Sequence, residues 1–340
     1  MLLDIIIPQY SEDEKIIKNL LTSIDSQKQI DFNDINITIV NDYSNTLLSS
    51  DCLKTFTNLK ITYLRNEKNT GPGLARQKGI DNTSASYIMF IDSDDVLDSN
   101  LSLFVITDFL KKNDIDYLVT DIKCEVIKSG KLDTIIKQNK ETFPWMHGKV
   151  YKREFLKSNE IRFHECIRHL EDSYFTMSVL GVADPKRIAF INYPTILWKL
   201  NPNSLTRKNT PDIYTYNIFS DMYNTPFYIY EYLSRHNSKL RFNYFISSIF
   251  GLYIILNSSV FDSHENKKNE YLNKLEKDIK NKKNIFILYN KLQLLKLYND
   301  ELKELKDRLF IRGIKVSFDD FYNKYILWYM KWIYMTRHLN

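Results

Sequence analysis

The stretch Tyr87-Ile88-Met89-Phe90-Ile91-Asp92-Ser93-Asp94-Asp95 runs through five apolar or aromatic residues and then places three carboxylates within four positions. Tyr87 to Ile91 has the composition of a buried strand. Such a strand delivers its last side chains to the carboxyl edge of a sheet, where open α/β folds bind their ligands. In an extended segment the side chains of Asp92 and Asp94 point to the same side. Oxygen ligands so arranged suit Mg²⁺ or Mn²⁺, which often complete their shell with substrate phosphates. The same residues also read as a polar turn or a helix N-cap, because Asp and Ser are ordinary residues in both.

Upstream, strand and helix patterns alternate. Leu2 to Ile7 reads as a strand ending at Pro8. Ser11-Glu12-Asp13-Glu14 has capping-box spacing, and Ile16, Ile17, Leu20, Leu21 and Ile24 recur on one helix face. Ile35 to Val40 predicts a second strand, Leu47 to Phe56 a helix, and Ile61 to Leu64 a third strand. Gly71-Pro72-Gly73 opens a further helix, with Pro at a favoured early position. With Tyr87 to Ile91 as the fourth strand, the order predicts a mostly parallel sheet with functional loops at the strand ends. Each strand end carries a candidate ligand group. Tyr10 follows the first strand, Asp42 the second and Asp92 and Asp94 the fourth, while Arg76 lies early in the helix opened by Gly71. An aromatic ring stacks on a base, a carboxylate accepts hydrogen bonds from base or ribose, and Arg reaches phosphate bidentately. Taken singly, each also reads as a loop or surface residue.

The chain has 340 residues, 44% hydrophobic and 26% charged, a globular balance sufficient for one large domain or two ordinary ones. Cys52, Cys124 and Cys166 form no close pair, which argues against a disulfide framework or a thiolate zinc site and for a reducing, cytoplasmic setting. The N-terminus lacks the basic region and long apolar core of a signal peptide. No run approaches the roughly 18 apolar residues of a membrane span. Charge is asymmetric: residues 267–340 hold 17 Lys and Arg against 9 Asp and Glu, net +8, leaving residues 1–266 at −3. A basic tail reads either as solvated helix faces or as a surface for a polyanion.

Four segments together resemble glycosyltransferase family 2, in order and spacing, over roughly the first 100 residues. They are Ile5-Ile6-Ile7-Pro8-Gln9-Tyr10, Ile39-Val40-Asn41-Asp42-Tyr43-Ser44, Asn69 through Ile80, and Phe90-Ile91-Asp92-Ser93-Asp94-Asp95. The resemblance implies a GT-A fold, a Rossmann-like mixed α/β sheet that binds nucleotide-diphospho-sugars, over residues 1–207, and leaves 208–340 as a helical C-terminal region. It implies that Pro8, Tyr10, Asp42, Arg76, Asp92 and Ser93 hold the nucleotide-sugar, expected to be a UDP-sugar, and that Asp94 with Asp92 binds Mn²⁺ or Mg²⁺. Gln9, Asn41 and Tyr43 depart from common family residues and bear on the choice of nucleotide.

Further along, His147-Gly148-Lys149-Val150-Tyr151 resembles the family's acceptor-side segment and Arg168-His169-Leu170-Glu171-Asp172 its catalytic motif. Inverting transfer needs a positioned carboxylate to take the acceptor hydroxyl's proton. By resemblance that base is Asp172, with Glu171 in support. Without the upstream motifs, the same acidic pair reads as a helix start. Trp145, His147, Lys149 and Arg207 are candidate acceptor-side or phosphate contacts. Residues beyond about 208 predict helices near 213–235, 241–260, 267–309 with a break, and 318–337, punctuated by Pro211 and Pro226.

The acceptor stays open at this level. A surface or lipid-linked glycan, or a glycoprotein, is the common role. The Gly-Pro-Gly-x-Ala-Arg-Gln variant resembles phage-encoded forms that modify hydroxymethylated DNA bases in a host cytoplasm, and the basic tail fits that reading too. Trp328, Lys331 and Trp332 suggest peripheral membrane contact. A nucleotidyltransferase and a noncatalytic sugar-nucleotide-binding protein are the rival classes, the first disfavoured by the Glu171-Asp172 motif.

Overall fold

The computed structural model describes residues 1–141, 145–201, 216–262, 264–282, 284–309 and 313–327. Arg207, Pro211, Trp328, Lys331, Trp332 and the end of the last expected helix lie outside them. The chain forms two compact units, Met1–Asn209 and Thr210–Asn340.

The first unit is built on a mixed sheet. Its strands are β1 (Leu3–Gln9), β2 (Ile35–Asn41), β3 (Ile61–Arg65), β4 (Tyr87–Phe90), β5 (Val96–Leu97), β6 (Tyr117–Lys128), β7 (Lys131–Lys137), β8 (Lys149–Lys152) and β9 (Ile188–Trp198), in the order β3-β2-β1-β4-β8-β6-β9-β5, with β7 paired to β6. β3, β2, β1 and β4 are mutually parallel. β8 then runs antiparallel to both β4 and β6, which makes the second half mixed. Ile5, Ile6 and Ile7 are all fully buried, as expected of a strand covered on both faces. Asp4 interrupts that run at no solvent exposure; its carboxylate accepts hydrogen bonds from Asn36 Nδ2 at 3.0 Å and Thr38 Oγ1 at 2.9 Å.

The helices of this unit are α1 (Glu14–Asp25), α2 (Ser50–Lys54), α3 (Pro72–Asn82), α4 (Ser102–Lys112), α5 (Arg153–Ser158) and α6 (Glu171–Val182). α1 buries Ile17, Leu20, Leu21 and Ile24, the face expected from their spacing. Its cap differs from the expectation: Asp13, not Ser11, accepts from the Ile16 amide at 2.9 Å, and Glu12 turns back to the Tyr10 amide. α2 is shorter than the Leu47–Phe56 pattern suggested, because Ser49 caps it through the Cys52 amide.

The second unit is helical: α7 (Tyr216–Arg235), α8 (Arg241–Leu256), α9 (Glu265–Asn281), α10 (Asn284–Ile287), α11 (Lys291–Leu309) and α12 (Phe318–Phe321), continued by a π-helical stretch over Tyr322–Leu327. Pro226 lies inside α7. Its core is aromatic. Phe250 meets Phe321 edge-on at 4.9 Å, and Tyr298, Phe318, Tyr322 and Tyr325 join the same cluster, so the described start of the helix expected over 318–337 packs its aromatic residues inward. No described helix is long and apolar enough to cross a membrane.

Candidate active site

The parallel register brings the ends of β1, β2 and β4 to one edge of the sheet, and the acidic loop leaves β4 there. Along that loop exposure alternates. Asp92 and Asp94 are partly exposed while Ser93 and Asp95 are buried, but the Asp95 amide donates to the Asp92 carbonyl at 3.0 Å, so the four residues form the polar turn rather than an extended segment. Because β8 is antiparallel to β4, with Val150 opposite Met89, the residues entering β8 stand over the end of β4. This places His147 Nε2 at 3.1 Å from Asp95 Oδ2 and 3.6 Å from Asp92 Oδ2. Gly148 makes the approach possible. Its φ is +68°, and a Cβ there would lie 2.7 Å from Ile122 Cγ2.

β9 closes the other side of the loop. The Lys199 amide donates to Asp95 Oδ1 at 2.9 Å, and Asn201 Nδ2 donates to Asp94 Oδ2 at 2.7 Å. Asp95 is thus an inner brace, held by β9 and His147, whereas Asp92 faces outward. Among the described residues, the carboxylates of Asp92 and Asp95 and the ring nitrogen of His147 lie within 4.8 Å of one another. The sequence pattern alone pairs Asp92 with Asp94 and sets His147 on the acceptor side. The structure brings His147 to Asp92 and gives Asp94 to Asn201.

Arg76 ties the acidic loop to α6. Its Nη2 donates to Asp92 Oδ1 at 2.5 Å and its Nη1 to Glu171 Oε1 at 2.9 Å, with the guanidinium almost entirely buried. The bridge depends on Gly73, one turn earlier on α3, where a Cβ would sit 2.8 Å from Glu171 Cγ. Asp172 is only partly buried, and its Oδ1 accepts from the Ser173 amide at 2.7 Å. Lys149, the first residue of β8, has no exposure, and its Nζ donates to the His147 carbonyl at 3.3 Å.

These surroundings sort the titrating groups. Burial opposes the charge of Asp92, but Arg76 and His147 override it and hold the carboxyl below its ordinary range. Burial pushes Asp95 up to about 6, against the pull of His147. Burial and then the neighbouring Asp172 push Glu171 up to about 7, even with Arg76 beside it. Asp172 is also raised, by burial first. Burial pushes Lys149 down to about 7, with Asp172 opposing. Burial disfavours the imidazolium of His147, yet Asp95 and Asp92 raise it above the usual histidine value. Four carboxyls, those of Asp92, Asp95, Glu171 and Asp172, therefore gather around Arg76, Lys149 and His147, acidic surroundings that suit a cation.

The remaining candidates have definite places. Asp42 is buried and accepts from Asn66 Nδ2 at 2.7 Å, Thr70 Oγ1 at 2.8 Å and the amides of Thr70 and Gly71 at 2.9 and 2.7 Å, so its carboxylate organises the loop into α3. Tyr10 stands half exposed just past β1, and Pro8 pairs with Val40 inside the sheet. Ser93 is buried. Trp145 packs on Trp198 at 5.2 Å between ring centres, and Trp198 also lies 5.0 Å from the His147 ring. Reading by sequence passed over Asn201 and the structural part of Gly73. The second was signalled by a second glycine immediately after the helix-opening Gly71-Pro72.

A parallel half-sheet that collects carboxylates at its carboxyl edge, completed by an antiparallel strand and an acidic helix start, defines a GT-A-type α/β domain. Residues 4–168, just under half of the chain, match Glycosyl transferase family 2, which assigns the first unit to that family. The chain is similar to the uncharacterized glycosyltransferase EpsJ of Bacillus subtilis, with 27% identity over 227 residues, 60% of this chain and 63% of EpsJ. It is also similar to the poly(ribitol-phosphate) beta-N-acetylglucosaminyltransferase TarS of Staphylococcus aureus, with 26% identity over 189 residues, 52% of this chain and 32% of TarS. The chain therefore spans less than two thirds of either relative. The crystal structure of TarS 1–349 superposes with a TM-score of 0.65 at 20% identity, covering 91% of this chain and 89% of that fragment. The same fragment in complex with UDP-GlcNAc gives 0.57 at 19% identity, covering 91% and 82%.

Proposed function

We propose that the chain is an inverting glycosyltransferase that moves a sugar from a UDP-sugar to a hydroxyl of a surface or lipid-linked glycan, using the unit Met1–Asn209. One observation carries the reading: Asp92 from the end of β4, His147 from the approach to β8, Arg76 from α3 and Glu171-Asp172 from the start of α6 converge on one place. Family membership supports the reaction class. TarS, named for N-acetylglucosamine transfer to poly(ribitol-phosphate) and crystallised with UDP-GlcNAc, supports the donor and a polymeric acceptor.

Asp172 is the base. Burial makes its carboxylate a better proton acceptor near neutral pH than an exposed aspartate, which is what deprotonating a weakly acidic hydroxyl demands. Arg76 fixes Glu171 and Asp92 relative to each other, so the helix carrying Asp172 keeps its place against the donor edge. Tyr10, exposed beside that edge, is available to stack on the base of the nucleotide. The donor set of two carboxylates and an imidazole fits a divalent cation, Mn²⁺ more readily than Mg²⁺ because of the nitrogen. Asp92 and His147, with Asp95 or Asp94 completing the set, would hold such an ion, which would supply charge neutralisation at the diphosphate.

The test is a transfer assay with Mn²⁺, UDP-GlcNAc or UDP-glucose, and a set of glycan acceptors that includes poly(ribitol-phosphate) and lipid-linked sugars. Acceptor-dependent release of UDP, with the sugar recovered on the acceptor, is the expected result. Metal-dependent donor binding without turnover on any acceptor would instead make the protein a noncatalytic binder.

A further inference from the structure

β6 and β7 form a hairpin whose outer part carries large apolar side chains in the open. Ile127, Leu132 and Ile136 are 58%, 61% and 55% exposed. The register pairs Ile127 with Leu132, so the two share a face, and strand alternation puts Ile136 on that face too. The next pair outward is Lys128 with Lys131. Between them the turn residues Ser129 and Gly130 both have positive φ, 52° and 76°, the conformation of a tight two-residue hairpin turn. The tip is therefore a built feature of two aliphatic side chains backed by two lysines.

Those lysines have no internal use. Lys123 pairs with Asp98 and Lys137 with Glu141, whereas Lys128 and Lys131 have no ion-pair partner among the described residues. Every residue from Lys131 to Ile136 is exposed. A second copy of the chain fits this edge poorly, since an antiparallel partner centred on Thr134 would set Lys131 against Lys137. With Ile127, Leu132 and Ile136 on one face and Lys128 and Lys131 at the hairpin's end on the other, the hairpin laid on a bilayer by its aliphatic face puts the aliphatic groups at the acyl boundary, while the long lysine stems reach round the end to the phosphates of anionic headgroups.

We propose that the β6–β7 hairpin docks the protein on an anionic lipid surface through Ile127, Leu132 and Ile136 with Lys128 and Lys131. The inference stands independently of the acidic site. It is tested by floating the full chain with vesicles of phosphatidylcholine containing about 30% phosphatidylglycerol, and with phosphatidylcholine alone. The expected result is co-flotation with the anionic vesicles only, weakened by salt. It should be reduced about tenfold or more by the pair Ile127→Ser with Leu132→Ser, and by the pair Lys128→Ser with Lys131→Ser. Unchanged thermal melting of both variants, whose altered residues are all exposed, would show that the loss is not unfolding. Equal flotation of wild type and both variants overturns the proposal, as does absence of flotation. Concentration-dependent self-association in velocity sedimentation that both variants abolish, with vesicles left unbound, would overturn it in favour of a second copy.

Discussion

Asp92 at the end of β4 and Glu171 at the start of α6 share one guanidinium, yet their proton affinities diverge. Arg76 sits 2.5 Å from Asp92 and 2.9 Å from Glu171. Asp92 has His147 as a second cationic neighbour and stays below the ordinary carboxylate range, while Glu171 has Asp172 beside it and is pushed up to about 7. The strand end keeps a permanent anion, suited to holding a cation and a diphosphate. The helix start keeps Glu171 where it gains and loses a proton near neutrality, and burial raises Asp172 beside it. Such divergence between neighbouring carboxyls is what separates an anchor from a base. Conversion of Asp172 to Asn tests the division most severely. Transfer should fall by about a thousandfold, within the range of a lost general base, while donor affinity measured by calorimetry stays within about threefold. Loss of donor binding to the same extent would place Asp172 with the anchor.

Removing the shared cation probes both ends at once. Arg76→Met leaves the buried Glu171 and the partly exposed Asp92 without their counter-charge, and urea unfolding should show a loss of about 3 kcal/mol, the low end for a broken buried pair because Asp92 is partly screened by water. A loss below about 1 kcal/mol would mean that the two regions hold their positions without the bridge.

The pH dependence of stability then separates them. Glu171 moves from an ordinary value of 4.5 to about 7 in the folded protein. The folded state therefore binds a proton that the unfolded chain has released, and stability falls as pH rises. The contribution is fully present below about pH 4.5 and lost as pH passes through about 7, worth up to about 3 kcal/mol. Glu171→Gln should flatten that part of the slope when wild type and variant are unfolded in urea at pH 5 and pH 7.5. An unchanged difference between the two pH values would assign the slope to other groups, such as Asp95.

The two regions also differ in how much of them could be read in advance. The acidic loop announced itself, because a strand run and its carboxylates are contiguous and the parallel βα order upstream is local. The helix start was legible only through its likeness to a family motif, since Glu171-Asp172 is also an ordinary N-terminal turn. What escaped were contacts created by register between distant strands. Lys199 and Asn201 reach Asp95 and Asp94 across 104 and 107 positions, and no periodicity encodes that pairing. Local competition misled as well. Ser11 had the right spacing for a cap, but Asp13 stands one residue before the first helical turn and took the Ile16 amide. Pro226 punctuates the helix expected over 213–235, and α7 continues through it.

His147 offers the finest distinction within the anchor. Its Nδ1 is buried without a hydrogen-bond partner among the described residues, and its Nε2 lies between Asp95 and Asp92. If the ring is a ligand, His147→Ala should weaken Mn²⁺ binding by roughly ten- to a hundredfold, about 1.4 to 2.8 kcal/mol. Because imidazole favours Mn²⁺ over Mg²⁺, the variant should also narrow the preference between the two ions. If the ring only braces Asp95, the variant should weaken both ions alike and leave their ratio unchanged. Paired titrations of wild type and variant with MnCl₂ and MgCl₂ therefore decide whether the strand end binds metal through its carboxylates alone or through the residue that β8 brings to it.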